Sequence, residues 1–411
     1  MNDTLRTIFS GRMLVALLMG FSSGLPLLLT GSVLQAWMTD EGVDLGTIGL
    51  FALVGLPYTL KFLWAPLVDR YALPLLGRRR GWLVLIQLCL MLAITLLGWT
   101  HPAQNALPVA LAALLVTFFS ASQDIVIDAY RREALADREL GLGASLYVNG
   151  YRVGMLLASG GGLILADFIP FSQVYALMAA VMLAGLGTTL FAPEPVAAQG
   201  LPATLSEAVV QPFVDYFKRH HAWLILLFIL FFKVGDTMAS NMTIPFYLDI
   251  GFSKSEIGTV VKLFGFSATL AGGLAGGIVM LRIGIYRALW GFGILQAVST
   301  AGFAVLALSG YNLPLLAAVI AFENFSGGMG TAAFVAFMAS LTNRRFTATQ
   351  YALLTSLMGI PRVILAAPTG YMAEGMGWVG FFVFCTLIAL PGLLLLTRFR
   401  GWLTEADVHA D

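Results

Sequence analysis

Nine ionisable residues stand inside stretches that are otherwise apolar: Lys61, Arg152, Lys233, Lys262 and Arg362 against Asp124, Asp128, Asp236 and Glu323. An ionised side chain at the centre of a membrane helix costs at least about 2.5 to 3.5 kcal/mol, so nine argue against accident. They are expected to face an interior cavity or one another. In "SASQDIVIDAYRRE" (120 to 133) Asp124 and Asp128 are four residues apart, and Lys233 and Asp236 are three apart. Both spacings put the two side chains on one helix face. Two close carboxylates in a low-dielectric site resist full ionisation, so one can hold and release a proton. Asp124, Asp128, Asp236 and Glu323 are therefore the candidates for proton coupling. Plainer readings stay open: Asp128 anchoring Arg131 or Arg132, Asp124 paired with Arg152, and Lys233 satisfied by Asp236. Five cations against four acids would leave a cavity positive once the acids are protonated, which favours an anionic ligand. Arginine offers a carboxylate or phosphate paired donors, and lysine a point charge. Lys61, Arg152, Lys233, Lys262 and Arg362, with the polar neighbours Gln123 and Asn324, are the candidates for ligand contact or gating.

The elements that must position these residues are membrane helices. Of 411 residues 59% are hydrophobic and only 11% charged, and the mean hydropathy is +0.86, which is the balance of an integral membrane protein. Twelve stretches reach or approach the roughly 20 apolar residues that a crossing needs: 13–38, 45–68, 82–99, 106–130, 141–166, 172–192, 222–248, 255–281, 285–308, 313–340, 348–373 and 378–397. Charge tests that count. On it, alternate loops and the two ends receive 17 of the 23 Lys and Arg residues, among them Arg78, Arg79, Arg80, Arg131, Arg132, Arg344 and Arg345. The opposite loops receive Lys254 alongside Asp40, Glu41, Asp44, Asp167, Asp249, Glu256 and Glu374. Both termini are thus expected on the cytoplasmic side.

An enzyme is not indicated. His101, His220, His221 and His409 all fall outside the spans, and no nucleophile motif, metal spacing or phosphate loop is evident. Cys89 and Cys385 lie in distant apolar runs, which suits packing better than a disulfide or a metal. No cofactor and no metal are expected, and neither is a nucleic-acid partner. The bilayer is the expected surrounding, and a monomer the expected state.

The longest polar connection, 193–221, contains Pro193, Pro195, Pro202 and Pro212 and separates two sets of six helices. The expected domains are residues 1–192, a cytoplasmic linker 193–221, and residues 222–411 with a short tail. Part of the linker, Leu205 to Phe217, is amphipathic enough to lie on the membrane surface. The halves repeat: "YRVGMLLASGG" (151 to 161) aligns with "PRVILAAPTGY" (361 to 371), matching Arg152 with Arg362 and Gly160 with Gly370. Duplicated six-helix halves are a transporter layout with a midplane site between them. Glycine and proline in "FSSGLPLLLTGS" (21 to 32) and "SGGMGTAAF" (326 to 334) suit close helix packing and bends.

The loop after the second span, with Asp69, Arg70, Gly77, Arg78, Arg79 and Arg80, resembles the signature of the major facilitator superfamily. It is stretched between Arg70 and Gly77, and its counterpart "RIGIYR" (282 to 287) follows Leu281 at the acidic position. The resemblance implies an all-α membrane protein of the major facilitator superfamily fold, with twelve transmembrane helices in two pseudo-symmetric six-helix bundles. It also implies a cytoplasmic gate at Asp69, Arg70 and Arg78. The stretches "GLPLLLTGSVLQAWM" (24 to 38), "LKFLWAPLVDRY" (60 to 71), "GRRRGW" (77 to 82), "SASQDIVIDAYRREAL" (120 to 135), "GYRVGML" (150 to 156), "AWLILLFILFFKVGD" (222 to 236) and "FENFSGGMGTAAFVAFM" (322 to 338) resemble the AmpG muropeptide permease family.

That resemblance implies a bacterial inner-membrane, multi-pass importer driven by the proton gradient. Its substrate would be an anhydromuropeptide, N-acetylglucosamine-1,6-anhydro-N-acetylmuramic acid with or without peptide, taken up for cell-wall recycling. In some bacteria such import is tied to β-lactamase induction. After the last span the chain reads "RFRGWLTEADVHAD", without the further hydrophobic segments of the family's longer members, and the twelve-helix core is expected to be intact. A related branch resembles acetyl-CoA transporters, so another bulky organic anion is the alternative substrate. A non-transporting membrane sensor is the alternative of a different class.

Overall fold

The computed structural model describes residues 7–43, 45–73, 76–196, 204–218, 222–253, 256–364 and 368–399, and their regular structure is helical. Eight helices among them are long and apolar enough to cross a membrane: Gly11–Asp40, Arg78–Gly98, Ala106–Ala134, Phe171–Phe191, Ala222–Asp249, Ile257–Ser309, Leu313–Ser340 and Thr369–Leu396. The Ile257–Ser309 run has 53 residues, more than twice the roughly 20 that one crossing takes. It is interrupted at Gly284, whose φ of 76° is cheap only for glycine.

Three further stretches are helical, the first two irregular and the third a regular α-helix. Residues 45–70 alternate short α-helices with 3-10 turns, and Pro57 and Pro66 open two of those short helices because neither can donate a backbone hydrogen bond inside a longer one. Leu140–Leu156 passes through a π-helical turn, Leu157–Gly161, into Gly162–Ala166. Thr347–Ile364 completes the set. Counting these three, and the long run as two, the elements are consistent with twelve crossings.

The chain divides into two compact units. Unit 1 gathers Met1–Ala136, Leu146–Asp215 and Leu341–Ser356, and unit 2 gathers Asp137–Ser145, Tyr216–Ser340 and Leu357–Asp411. The linear expectation of halves at 1–192 and 222–411 thus differs in two short segments, 137–145 and 341–356, each of which packs with the other unit.

Lipid tails are as apolar as leucine, so helices in a bilayer associate through close packing and not through escape from water. In unit 1 that packing is backbone against backbone. Gly20 and Gly24 of the first helix meet the backbone of Tyr147 and Tyr151 of Leu140–Leu156, Gly150 and Gly154 meet that of Leu17 and Phe21 in return, and a Cβ on Gly24 would stand 2.0 Å from the Tyr151 carbonyl oxygen. The apolar core beyond this contact joins Leu25, Leu29, Val33 and Trp37 to Ile94, Val116, Tyr175 and Met178. Trp37 stacks on Phe171 with centroids 5.6 Å apart. The helix Arg78–Gly98 shows the two faces such a protein needs: Leu83, Leu90, Ile94 and Leu97 are buried, while Leu85, Leu88, Leu92 and Leu96 are exposed.

Unit 2 has its own aromatic core, in which Phe382 meets Phe246 edge-on at 4.8 Å and tilts against Phe303 at 5.2 Å. At one end Ser253 and Glu256 form a reciprocal cap. The Ser253 backbone N–H donates to Glu256 Oε2 at 2.8 Å, and the Glu256 N–H donates to Ser253 Oγ at 3.2 Å. The Tyr311 hydroxyl, followed by Ser253, holds the Glu256 carboxyl below the ordinary carboxylate range.

The amphipathic linker helix Leu205–Phe217 is tied to the rest of unit 1 by its polar side. Glu207 pairs with Arg345, Asp215 accepts from Gln350 Nε2 at 2.8 Å and from Asn343 Nδ2 at 3.2 Å, and Val209, Val210 and Val214 are left exposed. Residues 197–203 and 219–221 of the linker, and residues 400–411, lie outside the described residues.

Candidate functional site

In unit 1 the helix Ala106–Ala134 is buried on every side from Ser120 to Arg132. A helix surrounded in this way can keep polar residues only if neighbouring helices satisfy them, and each neighbour does. Ser23, from the first helix, donates its hydroxyl to Asp124 and lies 3.2 Å from the Tyr147 hydroxyl. Residues 45–70 lay three side chains along the same helix at intervals of three. Tyr58 donates to Ser120 Oγ at 2.8 Å, Trp64 donates to Ser122 Oγ at 2.9 Å, and between them Lys61 Nζ stands 3.9 Å from Asp128.

Lys61 occupies a short 3-10 turn, Lys61–Leu63, and only 6% of it is exposed. Arg131 donates to Asp128 at 3.2 Å and to the Tyr351 hydroxyl at 2.8 Å, with its guanidinium 4.5 Å from the Tyr147 ring centre. Lys61, Asp124, Asp128 and Arg131 thus form one buried cluster of two cations and two carboxylates. Gln123 points elsewhere: it is fully buried, accepts from Ser22 Oγ and donates to the Ser22 carbonyl at 3.0 Å, which ties two helices together.

A second charge cluster of unit 1 centres on Asp69, which is fully buried. It accepts from Arg78 at 3.1 Å and Arg79 at 2.9 Å. It also accepts from the backbone N–H groups of Ala348 and Thr349 and from the Thr349 hydroxyl, at 3.2, 2.8 and 2.8 Å. A carboxylate there meets the positive end of the helix Thr347–Ile364. Arg79 reaches Glu133 at 2.5 Å as well, and Glu194 accepts the backbone N–H groups of Arg79 and Arg80 at 2.8 and 3.0 Å. Of the residues expected at a gate, Asp69 and Arg78 come together. Arg70 lies apart, half-buried over the Tyr71 ring at 5.3 Å. Sequence reasoning did not single out Arg79 or Glu133. The available signals were the run of three arginines and the Glu that ends the Asp124–Asp128 motif.

Unit 2 has a third cluster. The α-helix breaks at Lys233, between Ala222–Phe231 and Val234–Asp249, and Lys233 donates to Thr331 Oγ1 at 2.7 Å and stands 3.4 Å from Asp236. Glu323, on Leu313–Ser340, is buried beside Asp236 within hydrogen-bonding reach of it and accepts from Ser299 Oγ at 2.5 Å. Ser299 is 2.7 Å from Ser326 Oγ. Asn324 faces another way: its Oδ1 accepts from Thr269 and its Nδ2 donates to the Ile320 carbonyl. Lys262 is exposed, and Arg152 is half-buried. The side chain of Arg362 lies outside the described residues.

Buried, paired cations and acids beside irregular helices are features that membrane transporters share. Residues 13–364 match the family model of the Major Facilitator Superfamily. The chain belongs to that superfamily. Within it, the AmpG permeases are the family. The anhydromuropeptide permease of Escherichia coli strain K12 is 46% identical over 98% of this chain and 83% of its own length. An AmpG transporter of Rickettsia felis is 34% identical over 94% and 95%. Solved structures agree on the fold. The E. coli fucose:proton symporter FucP superposes with a TM-score of 0.74 at 11% identity, covering 94% of this chain and 97% of its own. The proton:xylose symporter XylE superposes at 0.71 and 9% identity, covering 97% and 96%. This AmpG-family chain is therefore a multi-pass membrane transporter and not an enzyme.

Proposed function

We propose that the protein imports anhydromuropeptides from the periplasm to the cytoplasm across a bacterial inner membrane, driven by the proton gradient. The observation that carries this reading is the 46% identity, sustained over 98% of the chain, to a protein named anhydromuropeptide permease. The chemistry of the two acid clusters supports it. Lys61, Lys233 and Arg131 offer cations for lactyl and peptide carboxylates, and Ser23, Gln296, Ser299 and Thr331 offer hydroxyls and an amide suited to a sugar. Asp124, Asp128, Asp236 and Glu323 are the intramembrane acids from which the proton-coupling group is drawn, at least one of them exchanging its proton during the cycle. Arg152, Lys262 and Arg362 complete the set proposed for substrate contact or gating. The protein acts as a monomer with both termini in the cytoplasm, the side favoured by 17 of its 23 basic residues.

Purified protein in proteoliposomes, given radiolabelled N-acetylglucosamine-1,6-anhydro-N-acetylmuramic acid, should accumulate it when an inward proton gradient is imposed, and should only equilibrate it without one. No uptake by monodisperse protein would overturn the substrate, and the same vesicles screened with acyl-CoA would test the other bulky anion. Equal accumulation with and without the gradient would overturn the coupling.

A further inference from the structure

The two acid clusters differ in charge balance. In unit 1 both cations, Lys61 and Arg131, pair with Asp128, the neighbouring Asp124 accepts from Ser23, and all four charged residues are at most about a tenth exposed. Hydroxyl groups of Ser23, Tyr58, Tyr147 and Tyr351 surround them. Fully ionised, that cluster is neutral. In unit 2 the carboxylates Asp236 and Glu323 stand with one cation among the described residues, Lys233, which lies against Asp236. Among the described residues, Glu323 has the uncharged groups Ser299, Ser326 and the Tyr247 hydroxyl around it. Fully ionised, the described residues of this second cluster carry one net negative charge, with the glutamate buried. The cost of a buried unpaired charge exceeds that of binding a proton.

We infer that the proton which drives transport is held by the Asp236–Glu323 pair of unit 2, while the Asp124–Asp128 cluster of unit 1 stays ionised and serves as a fixed, neutral frame. This deepens the proton-driven reading above and rests on it. A shared proton lets Glu323 sit between Asp236 and Ser299 as a neutral acid, with Lys233 balancing the one remaining charge. Releasing the proton leaves that charge to be met by an approaching cationic group or by water. A void of about 10 Å³ lined by Asp236, Gln296 and Thr300 reaches the Asp236 side of the pair, room for about one water and so a step by which a proton can enter or leave. Lys233 is bound to Thr331, on the same helix as Glu323, so movement of that helix alters how well the lysine neutralises the pair.

Infrared difference spectra of the purified protein between neutral and high pH report a protonated carboxyl directly and need no substrate. We expect a carboxylic-acid C=O band in the unaltered protein that is absent in Glu323→Gln, present in Asp124→Asn and shifted in frequency in Ser299→Ala, a milder change should Glu323→Gln fold poorly. In proteoliposomes Glu323→Gln should lose gradient-driven accumulation while still exchanging labelled for unlabelled substrate. A band lost in Asp124→Asn and kept in Glu323→Gln would overturn the assignment, as would loss in both or in neither. No band in the unaltered protein would also overturn it: the pair would then be ionised against a further cation, with Arg362 the first to examine. Failure of the unaltered protein to transport anhydromuropeptide would sink the substrate reading and leave the spectra to judge the proton site alone.

Discussion

A buried charge is tolerated for what stands beside it. Lys61 is the example, held at 3.9 Å from Asp128 with almost none of its surface exposed. Removing one partner of a buried pair costs about 3 to 5 kcal/mol, mostly through the charge left behind. Lys61→Met should therefore lower the thermal unfolding midpoint of detergent-solubilised protein clearly. Lys61→Met with Asp128→Asn should recover part of the loss, a coupling that a double-mutant cycle reads. Strict additivity of the two changes would mean that Lys61 does not neutralise Asp128. That the four intramembrane acids were special was legible from their apolar surroundings. Which of them are balanced was not, because Lys61 reaches the Asp124–Asp128 face from more than sixty residues away in sequence, and Glu323 meets Asp236 from almost ninety.

Helices here are positioned by two devices, glycine contacts and capped ends. The Gly20, Gly24, Gly150 and Gly154 contact admits no side chain, so Gly24→Ala must push two backbones apart, an overpacking cost of about 1 to 3 kcal/mol or more. Gly187→Ala, with open space where its Cβ would go, should leave the unfolding midpoint almost unchanged. Equal effects of the two would remove the contact as the reason for these glycines. The second device is Asp69 at the start of Thr347–Ile364. Asp69→Asn keeps one acceptor oxygen, enough for the Thr349 donors, but not the charge opposite Arg78 and Arg79, whereas Asp69→Ala removes both. The alanine variant should unfold at the lower temperature by roughly the 1 kcal/mol worth of a cap, and identical midpoints would mean that the helix end gains nothing from Asp69. Glycine-rich stretches and the acidic loop residue were visible in sequence, but not their partners. A glycine packs against whichever backbone arrives, and Asp69 caps a helix almost 280 residues further along.

At the scale of the whole molecule, the charge asymmetry of the loops makes an orientation testable. In a background lacking Cys89 and Cys385, His101→Cys should react with a membrane-impermeant thiol reagent added to intact cells. Arg138→Cys should react only after the cells are opened. The reverse pattern would invert the proposed topology. The twelve-stretch reading of the sequence and the helices of the structure agree once the interruptions at Gly284 and Gly377 are taken as turns. The weakly defined stretches are the ones rich in proline, glycine or polar residues: 45–70, 140–166 and 347–364. The irregular turns of the first two carry Lys61 and follow the helix that bears Arg152.

What the sequence determined by itself was the membrane character, the number and order of apolar stretches, the uneven loop charge and the presence of acids and bases at depth. Each of these is a sum of transfer free energies or charges over a local window, and such sums need no knowledge of neighbours. Only the tertiary structure decided that Gln123 and Asn324 fasten helices together, that Arg79 and Glu133 join Asp69, and that one acid cluster has two cations and the other a single one among the described residues. Those outcomes depend on the rotation of each helix about its axis and on which neighbour it meets. A difference of one residue in either turns a side chain by about 100°, enough to exchange a partner for lipid.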